Sequence, residues 1–196
     1  MDAELDLVKH AAQFDWVYKW GVLKPEIHYR LVIDIYDHCA KANVRPEYVV
    51  QPLSAFCKAT EIDFVTRHRA LINEGKAGLA YVGVNDCVTR LQAMCGAFLR
   101  NFINAEVRTA QQVIESIKAG TITSPSVMAI PNFFIMKEHG SDVAKWDAGR
   151  LQDLLYRRYF ARQMTVITIE NMKSLTVQYG PGVAQHIQDN FIIVEG

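Results

Sequence analysis

The chain has 196 residues, 50% of them hydrophobic, and its 21 basic side chains balance its 21 acidic ones. This length predicts one domain with a sizeable core, and the charge balance excludes a global field that would attract nucleic acid or an anionic membrane. The four cysteines form no CxxC pair, the first residues lack the features of a secretion signal, and no apolar run approaches the ~18 residues of a membrane span. We therefore expect a cytoplasmic protein with reduced thiols and no membrane partner.

The first 45 residues have the pattern of a helical hairpin. Apolar side chains recur at spacings of three and four from Leu5 to Trp20, and Gly21 then interrupts the pattern. Pro25 suits the first turn of the second helix. The predicted organisation is a hairpin over residues 1–45, followed by one domain over residues 46–196.

The beginning of the second segment is expected to be irregular and then helical. Residues 43–56 carry two prolines, which predicts a connector without regular structure. Thr60 is the expected N-cap of a helix that runs to about Asn73.

From residue 78 onward, short apolar runs alternate with amphipathic helices, which is typical of a parallel sheet covered on both faces. The expected strands are GLAYVG, EVR, NFFIM, TVITI and FIIV. The helix after the first strand is expected to bury an apolar stripe that ends at Phe102. Thr109 and Gln112 have the spacing of a capping box for the next helix, which Gly120 ends. The predicted fold class is α/β.

The order of these elements and several sequence stretches resemble a known family. PEYVVQPLSAF, GLAYVG, PNFFIMKEHGS, WDAGRLQDLLYRRYFARQMTVITIEN and YGPGVAQHIQDNFIIVE are similar to the AAA+ core of DnaC-type helicase loaders and transposition helper ATPases. The likeness spans residues 46–195, and its most specific part is the long helix that ends in LLYRRY before a strand. It implies a P-loop-like core with a parallel sheet. Because the sequence ends one strand later, we expect no helical lid.

The phosphate-binding residues of that family are replaced in this chain. A loop of the form GxxxxGK[ST] places its second glycine against the phosphates, its lysine on the β and γ phosphates, and its hydroxyl on Mg²⁺. Counted from Gly83, these positions hold Val88, Thr89 and Arg90, and Asp86 adds negative charge where a triphosphate would lie. Arg90 is the one residue that could replace the missing lysine.

The resemblance also implies two acidic residues after the third strand, which organise Mg²⁺ and polarise the attacking water. The corresponding residues are Lys137 and Glu138. A lysine at the first position would repel Mg²⁺ and could occupy its space as a tethered cation beside Glu138 or Asp86. Asn171 matches the polar sensor at the end of the fourth strand, to within one residue.

The remaining catalytic features are also absent from the pattern. The family's Gly-Glu-Arg stretch becomes GPG at residues 180–182. We therefore predict a degenerate nucleotide pocket with no catalytic residue and no cofactor. Asp34 and His38 share a helix face but lack a third ligand, so no metal site is predicted. The alternative is an enzyme, either an ATPase with an unorthodox site built on Arg90 and Glu138 or a different chemistry in a remodelled pocket.

Two surface features are candidates for partner binding. Trp16 and Trp20 lie in the hairpin, where they predict either a contact with a protein partner or packing against the main domain. Arg157, Arg158 and Arg162 form a basic patch that would face a neighbouring subunit, nucleic acid or solvent. The favoured hypothesis is a non-hydrolysing, helicase-loader-like adaptor in DNA replication. Its expected partner is a replicative helicase or an AAA+ relative, with single-stranded DNA as a further candidate.

Overall fold

The computed structural model of the protein describes residues 21–85, 87–133 and 145–196. The helices within these ranges are α1 (Pro25–Ile33), α2 (Ile35–Ala42), α3 (Pro46–Val50), α4 (Ala59–Thr66), α5 (His68–Asn73), α6 (Cys87–Arg100), α7 (Ala110–Lys118), α8 (Lys145–Phe160), α9 (Met172–Tyr179) and α10 (Pro181–Asn190), with a 3-10 turn at Leu53–Ala55. The strands are β1 (Gly78–Val82), β2 (Ala105–Val107), β3 (Val127–Ile130), β4 (Met164–Ile169) and β5 (Phe191–Glu195). None of these helices combines the length and hydrophobicity needed to cross a bilayer.

The described strands form one parallel sheet in the order β2-β3-β4-β1-β5. Successive residues of a strand point to opposite faces, so Leu79 and Tyr81 of β1 join the buried cluster under α1 to α6, whereas Ala80 joins the cluster under α7 to α10. Helices therefore cover both faces of the sheet, which explains why its strands are continuous apolar runs. The predicted α/β fold is confirmed.

The third strand lies earlier in the chain than predicted. The sequence VMAI forms β3 and is fully buried, whereas Asn132 and Phe133, which were expected to begin the strand, follow it. Their backbone N–H groups donate to Thr168, to its Oγ1 atom at 2.7 Å and its carbonyl at 2.8 Å. Pro131 has no N–H, and Asn132 has a φ of 52°, so regular pairing stops at Ile130. The rest of the predicted strand lies outside the described residues.

The N-terminal helices pack into the same core as the sheet. The helix predicted from Pro25 is present, with a turn at Asp34 that separates α1 from α2. Val32 and Ile35 have no exposed surface and belong to the buried cluster that contains β1 and α6. The first helix of the predicted hairpin falls in residues 1–20, outside the described residues, and the domain boundary at residue 45 stays a prediction.

The expected irregular connector contains a short helix and a 3-10 turn. Pro46 begins α3 instead of preventing a helix, because the first helical position does not need an N–H donor. Tyr48, Val49 and Val50 are buried. Gly96 of α6 allows the close approach, since a Cβ atom there would lie 2.4 Å from the carbonyl oxygen of Tyr48.

The helix caps were predicted with mixed success. Thr109 and Gln112 form the predicted capping box, in which Gln112 N donates to Thr109 Oγ1 at 3.2 Å and Thr109 N donates to Gln112 Oε1 at 2.9 Å. The prediction for Thr60 is wrong, because Lys58 is the N-cap of α4 and its N–H donates to Glu61 Oε2 at 3.1 Å. The predicted single helix is divided into α4 and α5 at residue 67.

Phe102 does not belong to the buried stripe of α6. The helix ends at Arg100, and Phe102 adopts a φ of 59° with 63% of its surface exposed. Its N–H donates to the carbonyl of Leu99 at 2.9 Å, and its ring stacks on His28 with 5.6 Å between centroids. The left-handed turn after the helix carries this side chain away from the core.

Candidate functional site

The first turn of α6 occupies the place where the phosphate loop was expected. Gly83 follows β1 with a φ of 65°, and its N–H donates to the carbonyl of Ile169 at 3.0 Å. The helix begins at Cys87, the fifth of the eight motif positions, so the three replaced positions lie in the helix. Val88, at the position of the second glycine, is 46% exposed. Asp86 lies outside the described residues.

Arg90 points into the core. Its guanidinium forms an ion pair with Glu61, and the two side chains are 12% and 0% exposed. Its Cζ atom also lies 4.8 Å from the centroid of the Tyr81 ring. The Tyr81 hydroxyl donates to Glu61 Oε1 at 3.0 Å, while the other carboxylate oxygen accepts the N–H of Lys58. The arginine that could have replaced the missing lysine therefore compensates a buried carboxylate.

The groups around this ion pair are held in their uncharged forms. Burial raises the pKa of the Tyr81 phenol well above its ordinary value. Burial also raises the pKa of the Cys57 thiol to about 11, although Arg90 acts in the opposite direction. The Cys57 Sγ atom lies 3.6 Å from the Arg90 carbonyl oxygen, to which it donates. Neither group supplies an anion for catalysis at neutral pH.

Asn171 lies at the same edge of the sheet, where it caps a helix. It follows β4, whose last residue Ile169 pairs with the end of β1, so it is close to the loop that begins at Gly83. Its Oδ1 atom accepts the N–H of Ser174 at 2.8 Å. This hydrogen bond uses the side-chain oxygen of the residue that the resemblance matches to the polar sensor.

The residues directly after β3 carry no acid. Because β3 ends at Ile130, the two following positions are Pro131 and Asn132. Lys137 and Glu138, which the resemblance places at the end of this strand, lie outside the described residues. Within the described ranges, no group of three or more His, Cys, Asp or Glu side chains is placed to hold a metal ion.

The predicted basic patch is only partly a surface feature. Arg158 is 2% exposed and donates to Thr165 Oγ1 at 3.0 Å and to the Pro125 carbonyl at 3.1 Å, so its assignment as a partner contact is wrong. Burial lowers the pKa of Arg158 to about 10. Arg157 and Arg162 are exposed. The other predicted partner contacts, Trp16 and Trp20, lie outside the described residues.

Sequence reasoning did not single out Glu61, although a signal was present. Glu61, Phe64, His68 and Leu71 are all buried and recur at spacings of three and four across α4 and α5. A glutamate on the apolar stripe of a helix needs a buried partner. Arg90 of α6 is that partner.

Solved structures that match this chain include replication initiators. AMPPCP-bound DnaA from Aquifex aeolicus is 16% identical with a TM-score of 0.55, and a DNA replication initiation factor is 14% identical with a TM-score of 0.54. The replication initiator DnaA bound to AMPPCP and single-stranded DNA is 13% identical with a TM-score of 0.55. Each match covers 78% of this chain and 50% of the other, so the chain spans about half the length of these proteins.

No family model matches the sequence, and no curated protein is significantly similar to it. The resemblance to DnaC-type loaders, as distinct from other AAA+ proteins, stays a prediction. The sheet order and the structural matches together show that this chain shares the parallel α/β fold of the matched half of DnaA.

Proposed function

We propose that this protein is a non-hydrolysing AAA+-type adaptor that acts in DNA replication by binding other proteins. The observation that carries the proposal is the buried ion pair between Arg90 and Glu61. It joins the first turn of α6 to α4, beneath the edge of the sheet where an AAA+ ATPase would hold its nucleotide.

The ion pair keeps Arg90 from serving as a phosphate ligand. If Arg90 turned outward, Glu61 would remain charged at a position with no exposed surface. Separating the partners of a buried ion pair costs roughly 3–5 kcal/mol, which a phosphate contact would have to offset. This argument disfavours the alternative of an ATPase with a site built on Arg90.

The surrounding geometry supports the same proposal. The position of the second glycine holds Val88, whose β-branched side chain occupies the space in which a phosphate loop needs close backbone approach. An acidic residue is missing from the two positions that follow β3.

The assignment to DNA replication rests on the AAA+ core and on the structural matches, which are replication initiators. If a chain keeps this core but does not use its nucleotide site, it can still act by binding other molecules through its surface. We propose contacts through Trp16 and Trp20 with a replicative helicase or an AAA+ relative. Single-stranded DNA is a second candidate ligand.

Isothermal titration calorimetry with ATP, with and without Mg²⁺, tests the absence of a working site. We expect no saturable binding tighter than about 1 mM in either buffer. The Arg90→Gln variant is the matched comparison. An ATPase with an unorthodox site would bind ATP more weakly after this change, whereas an adaptor that does not bind ATP would show no difference. Micromolar, Mg²⁺-dependent affinity of the unaltered protein, reduced by Arg90→Gln, would establish the enzyme alternative.

A further inference from the structure

A groove of about 430 Å³ lies between α7, α8 and the segment that precedes β3. Its floor is aliphatic and includes Ile117, Ile122 and Leu154. Thr123 and Ser124 line the other side with hydroxyl groups. The groove therefore offers apolar contact below and polar contact along its rim.

The groove has an excess of positive charge. Its charged lining residues are three arginines, Arg150, Arg157 and Arg158, and one carboxylate, Asp153. Arg158 is hydrogen-bonded only to uncharged acceptors, and within the described ranges Arg157 has no ion-pair partner. Because the whole chain has no net charge, this is a local concentration that an anionic ligand would neutralise.

The neighbouring acidic residue does not cancel this charge. Asp147 accepts from Arg150 at 2.7 Å and from Lys118 at 3.0 Å, so two cations share one carboxylate.

The chemistry of the groove fits an acidic peptide that also carries apolar side chains. Its cations match carboxylates, and its aliphatic floor matches leucine or methionine side chains. Single-stranded nucleic acid is usually held by several aromatic rings on which successive bases stack. The floor of this groove is aliphatic, and no aromatic ring is among the described residues that line it.

The chain itself contains a peptide with this chemistry. Residues 1–7 read MDAELDL, in which Asp2, Glu4 and Asp6 alternate strictly with apolar residues. Alternate side chains of an extended peptide point to opposite sides. Such a peptide would direct three carboxylates to the cationic rim and its apolar side chains to the floor.

The connecting segment is long enough for this contact. Val22 N donates to the Val50 carbonyl at 3.0 Å, and Arg100 at the end of α6 holds the carbonyls of the residues on either side of Val50. These hydrogen bonds hold residue 22, near the start of the described chain, close to the end of α6 and so at the edge of the sheet where the strands begin. Parallel strands β3 and β4 begin at that same edge, beside Ser124 and Gln163 of the groove. Residues 8–20 can span about 40 Å when extended and about 20 Å as the predicted helix.

We propose that residues 1–7 bind in the groove between α7 and α8 of the same molecule. The carboxylates contact Arg157 and Arg150, which reach the surface, whereas the buried Arg158 adds positive potential without contact. Leu5 and Leu7 contact the aliphatic floor. This inference is independent of whether the nucleotide site is active.

Paramagnetic relaxation in the full chain tests the proposal. An Ala3→Cys variant can be labelled selectively with a nitroxide, because all four native cysteines are buried and burial raises the pKa of the Cys39, Cys57 and Cys95 thiols to about 12, 11 and 12. We expect enhanced relaxation of the Thr123 and Ala161 amide protons. The matched control carries the same label with Asp2→Asn, Glu4→Gln and Asp6→Asn, and should lose the enhancement.

A charge exchange provides a second, independent readout. Arg157→Glu should lower the ratio of molecules with an occupied groove to molecules with a free groove by about fivefold, which is the upper range for the loss of one exposed ion pair. Asp6→Lys in the same molecule should restore this ratio. Absence of enhancement at the groove amides in the unaltered segment would overturn the proposal. So would enhancement that appears only between a spin-labelled copy and an isotope-labelled one, because the contact would then join two molecules.

Discussion

At the scale of single residues, the central feature is a glutamate that no solvent reaches. Glu61 is stabilised by Arg90, by the Tyr81 hydroxyl and by the N–H of Lys58. A buried carboxylate needs several hydrogen-bond and ion-pair partners because it has lost the water molecules that would otherwise stabilise its charge. The same three contacts connect α4, β1 and α6, so the charge cluster also fixes the position of the helix that would have carried a phosphate loop.

Removing the charge of Glu61 should destabilise the fold. We expect Glu61→Gln to lower the free energy of unfolding by about 3 kcal/mol, because it leaves Arg90 largely buried without a counter-ion. Tyr81→Phe should cost only about 1 kcal/mol, the value of one hydrogen bond. Urea denaturation measures both. Glu47→Gln is the matched surface control, since Glu47 pairs with Arg45 in solvent, and an effect of Glu61→Gln no larger than this control would contradict the role given to the cluster.

Two buried histidines should make the protein sensitive to acid. Burial lowers the pKa of His68 and of His186 below the ordinary value near 6.5, and neither ring nitrogen of His68 has a hydrogen-bond partner among the described residues. The unfolded chain therefore binds protons first as the pH falls. The neutral rings make their whole contribution to the free energy of unfolding above pH 6.5. As the pH falls below 6.5, the free energy of unfolding decreases by up to about 1.4 kcal/mol per pH unit for each ring.

Urea unfolding at several pH values between 7.5 and 5 checks this dependence. The His68→Leu variant should show a shallower decline in unfolding free energy than the unaltered chain, because one of the two proton-linked groups is removed. An unchanged slope would mean that His68 is protonated equally well in the folded and unfolded states.

At the scale of elements, the early start of α6 limits any attempt to restore a nucleotide site. The variant Val88→Gly, Thr89→Lys, Arg90→Thr, Lys137→Asp recreates the family motif in sequence. It also puts glycine into the first turn of a helix and leaves Glu61 without its counter-ion. We expect a lower melting temperature, by an amount similar to that of Glu61→Gln, and no ATP hydrolysis above background in a phosphate-release assay. Robust hydrolysis would show that the loop can rearrange to hold phosphates.

The elements that the sequence specified well are those with a local signal. The capping box at Thr109 needs only residues three apart, and the alternation of apolar runs with helices is repeated along the chain. The third strand was misplaced because the run from Val127 to Met136 is apolar on both sides of Pro131, and periodicity does not tell which half pairs with the sheet. The choice depends on contacts with β4, more than thirty residues away in sequence.

The candidate site was harder to predict than the fold. The sequence alone identified the replaced motif positions, but the inward direction of Arg90 depends on Glu61, which is 29 residues earlier and in a different element. Arg158 carried a usable signal, because it lies four residues after Leu154 and seven after Leu151, on the buried face of α8. Adjacent arginines suggested a single patch, whereas helical geometry separates them onto different faces.

At the scale of the whole molecule, the N-terminal helices are part of the folded core. Val32 and Ile35 of α1 and α2 are fully buried in the cluster that includes β1 and α6. Deletion of residues 1–45 would therefore remove core side chains as well as the segment that carries Trp16 and Trp20. An experiment that separates binding from folding must end its deletion at residue 20.

That deletion allows the partner-binding proposal to be tested on a folded protein. If Trp16 and Trp20 anchor a replicative helicase, both the Trp16→Ala, Trp20→Ala variant and the variant lacking residues 1–20 should bind it at least tenfold more weakly, because an aromatic anchor at an interface contributes about 2 kcal/mol or more. Interferometry against the purified helicase measures this, with immobilised single-stranded DNA in parallel. Phe102→Ala, which removes an exposed aromatic ring outside that segment, should bind the helicase as the unaltered chain does. Full affinity of the shortened, still folded chain would instead locate the helicase contact on the α/β core, where the exposed Arg157 and Arg162 are the first residues to change.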